Sequence, residues 1–151
     1  MNKLRPAISS KQRSGALHLT QKVDYGMTLL TTLVEGTTKD SKSIKAIADE
    51  QKLSFAFLQK IARMLQQSGI IKAERGKYGG YTLTRPAEKI TIKDIIEALE
   101  GPIALVPCLC PGVKGTCGKG GNCAVRPGLE KINIELQKFF AERTLKNLIS
   151  T

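Results

Sequence analysis

Four cysteines crowd into one stretch of the chain: Cys108, Cys110, Cys117 and Cys123, spaced C-x-C, C-x6-C and C-x5-C. Thiolates ligate soft metals and are themselves redox-active. Pro107, Pro111 and the glycines at 112, 115, 118, 120 and 121 surround them. Glycine lets a chain curl around a bound group and point amides at its sulfurs. No acidic residue occurs between Glu100 and Glu130, whereas Lys114, Lys119 and Arg126 do. Positive charge lowers thiol pKa values and offsets the negative charge of a cluster. Three chemistries suit this arrangement: an iron–sulfur cluster, a structural zinc site, or a thiol–disulfide switch. The C-x2-C knuckle favoured by zinc sites is absent, and so is the C-x-x-C of a redox motif. Spacing alone leaves cluster and zinc both open. Four cysteines this close do not read as inert core thiols.

A second set of residues could hold a polyanion. Among 151 residues, 24 Lys and Arg stand against 13 Asp and Glu, a net charge of +11. Nucleic acid is the usual partner of such a surplus, and no basic amphipathic helix argues for a membrane surface instead. Duplex DNA needs cations for its phosphates and forked donors for its base edges. Ser54, Gln59 and Lys60 sit close together where a short helix begins, and a glutamine can bond adenine in two places. Arg75 and Lys77 lie in the run Arg75-Gly76-Lys77-Tyr78-Gly79-Gly80. There are six basic and two acidic residues from Lys72 to Lys93. Gly76, Gly79 and Gly80 read as turn formers. They are not a nucleotide-binding loop, since no Lys-Ser/Thr pair follows them.

The elements that must position these residues are legible from periodicity. A first helix is expected over 20–35, with Val23, Met27, Leu30, Leu33 and Val34 at helical spacing and Gly36 ending it. Ser43 can cap a second helix carrying Ile44, Ile47 and Ala48 on one face, and Ser54 a third carrying Phe57, Leu58, Ile61 and Leu65. Gly69 stands where a helix end favours a left-handed residue. Two short helices across a tight turn form a helix-turn-helix. A strand over 70–74, the glycine-rich turn and a returning strand over 81–84 make a β-hairpin, or wing, directly after the candidate recognition helix. Thr91 and Asp94 form a capping box for a fourth helix with Ile92, Ile95, Ile96 and Leu99 facing inward.

From about Leu129 a last helix is expected, with Leu129, Ile132, Leu136, Phe139 and Phe140 in one stripe. Such a stripe calls for a second subunit to cover it. The fold class is therefore mainly α with a small β-hairpin: a winged helix-turn-helix plus a long C-terminal dimerisation helix. The expected organisation is a disordered basic arm over 1–16, a DNA-binding domain over 17–101, a cysteine cluster-binding loop over 102–124, and the dimerisation helix with its tail over 125–151.

Nothing in the first residues has the apolar run of a targeting segment, and the run over 27–34 is too short to span a bilayer. A cytoplasmic location is expected, where thiols stay reduced and serve as ligands or sensors. An enzyme is not expected: there is one His and no Ser/His/Asp set. The competing class is an iron–sulfur electron-transfer or carrier protein whose basic wing docks an acidic partner.

The chain also resembles the IscR-type (iron–sulfur cluster regulator) winged-helix transcription regulators. The residues that carry the likeness are Leu19-Thr20, Asp24-Tyr25-Gly26-Met27, the 44–48 helix, Phe57-Leu58-Gln59-Lys60 with Leu65, and above all Arg75-Gly76-x-x-Gly79-Gly80-Tyr81-x-Leu83. Leu99-Glu100-Gly101-Pro102-Ile103-Ala104-Leu105, Cys117-x5-Cys123 and Val125-Arg126-x4-Lys131-Ile132-Asn133 look most like the SUF-system regulators of cluster-assembly operons. The resemblance implies a homodimeric repressor or dual regulator, crossed at its C-terminal helices and bound to an inverted-repeat operator. It implies a 2Fe-2S or 4Fe-4S cluster with three cysteine ligands per subunit. Cys117 and Cys123 match the second and third; Cys108 matches the first when counted from Ala104-Leu105, and Cys110 when counted back from Cys117. Where the pattern has a ligating His this chain has Arg126, which cannot ligate. The spare cysteine, then Asp24, then His18 are the candidates for the fourth ligand. Gln59 and Arg75 match base-contacting positions. Ala56 replaces a hydrogen-bonding Ser, which implies a different operator.

Overall fold

The computed structural model describes residues 19–35, 42–75, 79–113 and 122–149. The basic arm over 1–16, His18, Gly36, Lys77 and Cys117 lie outside the described residues. The order is α1 (Gln21–Glu35), α2 (Ile44–Glu50), α3 (Phe55–Gln67), β1 (Ile71–Glu74), β2 (Gly80–Leu83), α4 (Ile92–Glu100), α5 (Arg126–Ala141) and α6 (Leu145–Ile149). The mainly helical winged helix-turn-helix with a two-stranded wing is thus the fold observed.

The local signals act as expected. The Ser43 hydroxyl accepts from the Ala46 amide at 3.1 Å and the Ser54 hydroxyl from the Phe57 amide at 3.4 Å, each capping its helix. Lys52, in the turn between α2 and α3, adopts φ 54°, a left-handed conformation that a non-glycine residue seldom takes. Gly69 closes α3 at φ 70°. Thr91 and Asp94 complete the capping box of α4. The apolar stripes of α1, α2, α3 and α4 converge on one core, with Leu30, Ile47, Leu58, Ile61, Ile95 and Leu99 almost wholly removed from water. Gly26 lets α1 and α4 approach: a Cβ there would collide with the Leu99 side chain.

β1 and β2 pair antiparallel, Ile71 opposite Leu83 and Glu74 opposite Gly80. Gly80 has a role other than turn formation. β2 is flanked on its outer edge by Lys42, whose carbonyl accepts from the Tyr81 amide at 3.1 Å. A Cβ at position 80 would run into the Lys42 backbone. The wing is thereby stitched to the segment entering the helix-turn-helix.

Two features of the C-terminal part go beyond periodicity. Helix α5 starts at Arg126 rather than Leu129, because Pro127 suits a first helical turn that lacks apolar residues. The chain then breaks after α5 and returns: the Ile92 amide donates to the Arg143 carbonyl at 2.8 Å and the Leu145 amide to the Ile90 carbonyl at 2.8 Å. This seats α6 against the reading head, with Leu145 fully buried in the common core.

Candidate nucleic-acid interface and metal centre

The outer face of α3 presents Ala56, Gln59, Lys60 and Arg63, all exposed, while Leu58, Ile61, Ala62 and Leu65 hold its inner face. Sequence reading found Gln59 and Lys60 and passed over Arg63. It stands three residues after Lys60 and four after Gln59, the helical spacing that places it on their face. Ser54 is the N-cap, so its oxygen is engaged while its O–H stays available to a phosphate oxygen.

The wing side is less freely cationic than its charge count suggests. Lys72 pairs with Glu74 at 2.8 Å, Arg85 with Asp94 at 3.1 Å and Lys93 with Glu97 at 3.8 Å. Hydrogen bonds from Lys72 and then Thr82 hold the Glu74 carboxyl below its ordinary pKa. Three of the six basic residues between 72 and 93 are therefore occupied internally. Arg75 is exposed at the end of β1, with no ion pair among the described residues. It remains the wing's available fork, at the base of a tip whose other candidate, Lys77, lies outside the described residues.

The cysteine segment leaves α4 at Gly101, where φ is 87°, and runs to a single 3-10 turn at Pro107–Leu109. Cys108, Cys110 and Cys123 are partly exposed and form no disulfide. Cys108 and Cys110 line an open cleft of 320 Å³ with Leu109, Val113, Arg126, Glu130 and Asn133. Arg126, in the first turn of α5, is held above its usual pKa, first by its hydrogen bond to Glu130 at 3.0 Å and then by that carboxylate's charge. Arg126 shares the cleft with Cys108 and Cys110, and its backbone amide donates to the Cys123 carbonyl at 3.2 Å, so one cation lies between the two ends of the loop. Among the described residues no three His, Cys, Asp or Glu side chains close on a common point. Cys117, the cysteine between those ends, lies outside the described residues. The donors fit a cluster or soft metal in type, as thiolates beside a fixed positive charge. Asp24 is exposed on the first turn of α1.

Sequence reading missed what fastens this segment. Asn133, 5% exposed in the middle of α5, accepts from the Leu105 amide at 2.8 Å and donates to the Ile103 carbonyl at 3.4 Å. Gln137, one turn on, donates to the same carbonyl at 2.9 Å. A polar pair at i, i+4 inside an otherwise apolar stripe was the available signal. The stripe itself divides. Phe140 packs against the core, while Ile132 and Phe139 remain 53% and 47% exposed.

The sequence profile described as Rrf2, iron-dependent transcriptional regulator, matches residues 19–151. The chain belongs to the Rrf2 family. CymR of Bacillus subtilis is 37% identical over 93 residues, 62% of this chain and 67% of CymR. A solved structure of B. subtilis CymR, described as the global cysteine regulator, superposes with a TM-score of 0.70 at 31% identity, covering 89% of this chain and 97% of that one. IscR of T. potens superposes with a TM-score of 0.68 at 26% identity, covering 88% and 86%. As an Rrf2 protein the chain is a helix-turn-helix transcription regulator and not an enzyme. This sets aside the electron-carrier alternative. Regulators of this family bind DNA, typically as dimers. No helix among the described residues is long and apolar enough to cross a membrane.

Proposed function

We propose that this Rrf2 protein is a homodimeric repressor, most like the SUF-system regulators, whose cysteine loop holds an iron–sulfur cluster and reports cluster or redox status to an inverted-repeat operator. Its targets on this reading are genes of cluster assembly, and its place of work is the cytoplasm. The observation that supports it is the joint placement of the thiols. Cys108 shares a cleft with Arg126 at the start of α5, the Arg126 amide donates to the Cys123 carbonyl at 3.2 Å, and Asn133 binds the segment leading into Cys108 to the same helix.

Bound, the cluster supplies an oxidisable group whose presence tracks cellular iron and sulfur. Cys117, Cys123 and one of Cys108 and Cys110 would hold it, the spare cysteine standing first for the remaining ligand, ahead of Asp24 and His18. Arg126 offsets the negative charge of the thiolates. Asn133 and Gln137 convert a shift of the 103–108 segment into a force on α5. The exposed Ile132 and Phe139 on α5 supply the face that a second copy covers, so tilting α5 changes the distance between two reading heads. Ser54, Gln59, Lys60, Arg75 and Lys77 then engage each half-site.

The reading that keeps DNA binding but replaces the cluster by a zinc or thiol-switch loop draws on the likeness to CymR, described as a cysteine regulator. Anaerobic purification with iron, sulfide and zinc analysis and a visible spectrum separates the two. Iron and sulfide in near-equal amounts, lost in Cys117→Ala together with the operator response, are expected. Stoichiometric zinc without sulfide, in protein kept from oxygen throughout, would overturn the cluster.

A further inference from the structure

Two phenylalanines stand two positions apart at the start of α3 and do opposite things. Phe57 sets its ring edge-on to Tyr25, with centroids 5.5 Å apart, and packs against the core. Phe55 occupies the first helical position after the cap Ser54 and stays 46% exposed. It lies four residues before Gln59, hence one turn away on the same flank of the helix. Ala56 beside it is exposed and too short to cover the ring. The first residues of a recognition helix are those that reach base edges in the major groove. The exposed cations of this face, Lys60 and Arg63, bring it against DNA. A phenyl ring offers nothing to a phosphate. The apolar feature that the major groove does present is the C5 methyl of thymine, and phenylalanine is among the side chains that contact it.

We propose that Phe55 is a specificity-determining residue that packs on a thymine methyl in each operator half-site. Four helical residues rise about 6 Å and a base-pair step about 3.4 Å, so this thymine lies within about two steps of the base bonded by Gln59. The proposal rests on the DNA-reading part of the function above and is independent of what the cysteines hold.

The test starts from an operator obtained by in vitro selection with the full-length wild-type protein. Each thymine of one half-site is replaced by deoxyuridine, which removes the methyl and nothing else. Affinities are measured for the wild type and Phe55→Ala, with Phe55→Leu as the second variant should alanine shorten the helix. One thymine position is expected at which demethylation weakens the wild type about fourfold, the size of one buried methyl group. At that position Phe55→Ala should be indifferent to the methyl, and Phe55→Leu should retain part of the sensitivity. Equal losses in wild type and Phe55→Ala at every position would overturn the assignment, as would a loss for Phe55→Ala that is the same on unrelated DNA. A selection that enriches no sequence would take down the DNA-reading function and this proposal together. An enriched operator with purely additive effects would remove Phe55 alone.

Discussion

The reading head and the cysteine segment are held by different kinds of contact. From α1 to α4 the chain interlocks through a continuous apolar core, and helices α2, α3 and α4 have side-chain caps at their starts. Residues 101–113 contain no α-helix or strand and no fully buried side chain. They are fastened to α5 chiefly by hydrogen bonds from Asn133 and Gln137. Core contacts are many and share the load; polar ties are few, and each one matters. A platform that must keep Gln59 and Arg75 in register with DNA calls for the first. A segment that must respond to chemistry at its thiols calls for the second.

Leu145 gives the severest way to break that contrast. It belongs by sequence to the C-terminal part, yet it is fully buried in the reading head's core. Leu145→Ala should destabilise the protein by about 2–5 kcal/mol, as large-to-small core changes do. Urea unfolding measures it. A loss below about 1 kcal/mol would mean that α6 is a loose tail and that the reading head stands without it.

Within the reading head, the ion pairs predict an unequal response among the cations. Arg75→Ala should weaken operator binding by about 1–3 kcal/mol and relax preference at one base position. Lys72→Ala should do far less, because Lys72 is already engaged with Glu74 at 2.8 Å. Titrations on operator and scrambled duplexes would show it. Equal losses for the two variants would return the wing to a diffuse basic surface.

What was legible in the chain follows the same division. Ser43, Ser54, Thr91 and Gly69 act within a turn of their own position, so sequence marks them directly. Gly80 looked like one more hinge of a glycine-rich turn; its reason lies at Lys42, 38 residues upstream and unreadable by local spacing. The charge count of the wing likewise ignored Arg85 reaching Asp94. Asn133 and Gln137 stand out in the chain as a polar pair inside an apolar stripe, but their partners are backbone atoms at 103 and 105, which no side-chain pattern names. The cysteine ligands remain where sequence left them: chemistry read from type and spacing.

Asn133 provides the sharpest probe of the weaker region. Asn133→Leu keeps the volume and leaves the Leu105 amide without its acceptor, a cost of about 1–3 kcal/mol for a buried donor. That cost falls on the cysteine segment. Alkylation of Cys108 and Cys110 in reduced, metal-free protein should therefore speed up by at least about fivefold, the factor that 1 kcal/mol represents. Operator binding by the same metal-free protein should hold within a factor of about two. Unchanged alkylation would show that the segment is held by something other than α5. A collapse of DNA binding would show that the two regions are not separable.

The smallest expected effect lies at the capping box. Burial pushes the Asp94 carboxyl upward, but the Thr91 amide and hydroxyl, and then the Arg85 guanidinium, outweigh it and leave the group below its ordinary 3.8. A folded-state pKa below the unfolded value stabilises the protein above that unfolded value. The increment disappears as pH falls through the lower folded value. Asp94→Asn keeps an acceptor for the Thr91 amide and loses the charge, so it should cost about 0.5 kcal/mol at pH 7, the ordinary worth of a part-exposed pair. The gap between variant and wild type in urea midpoint should close as both are taken from pH 7 to pH 2. A gap that persists at pH 2 would assign the role of Asp94 to shape rather than charge. The first turn of α4 would then be held as the core is held, with no electrostatic contribution of its own.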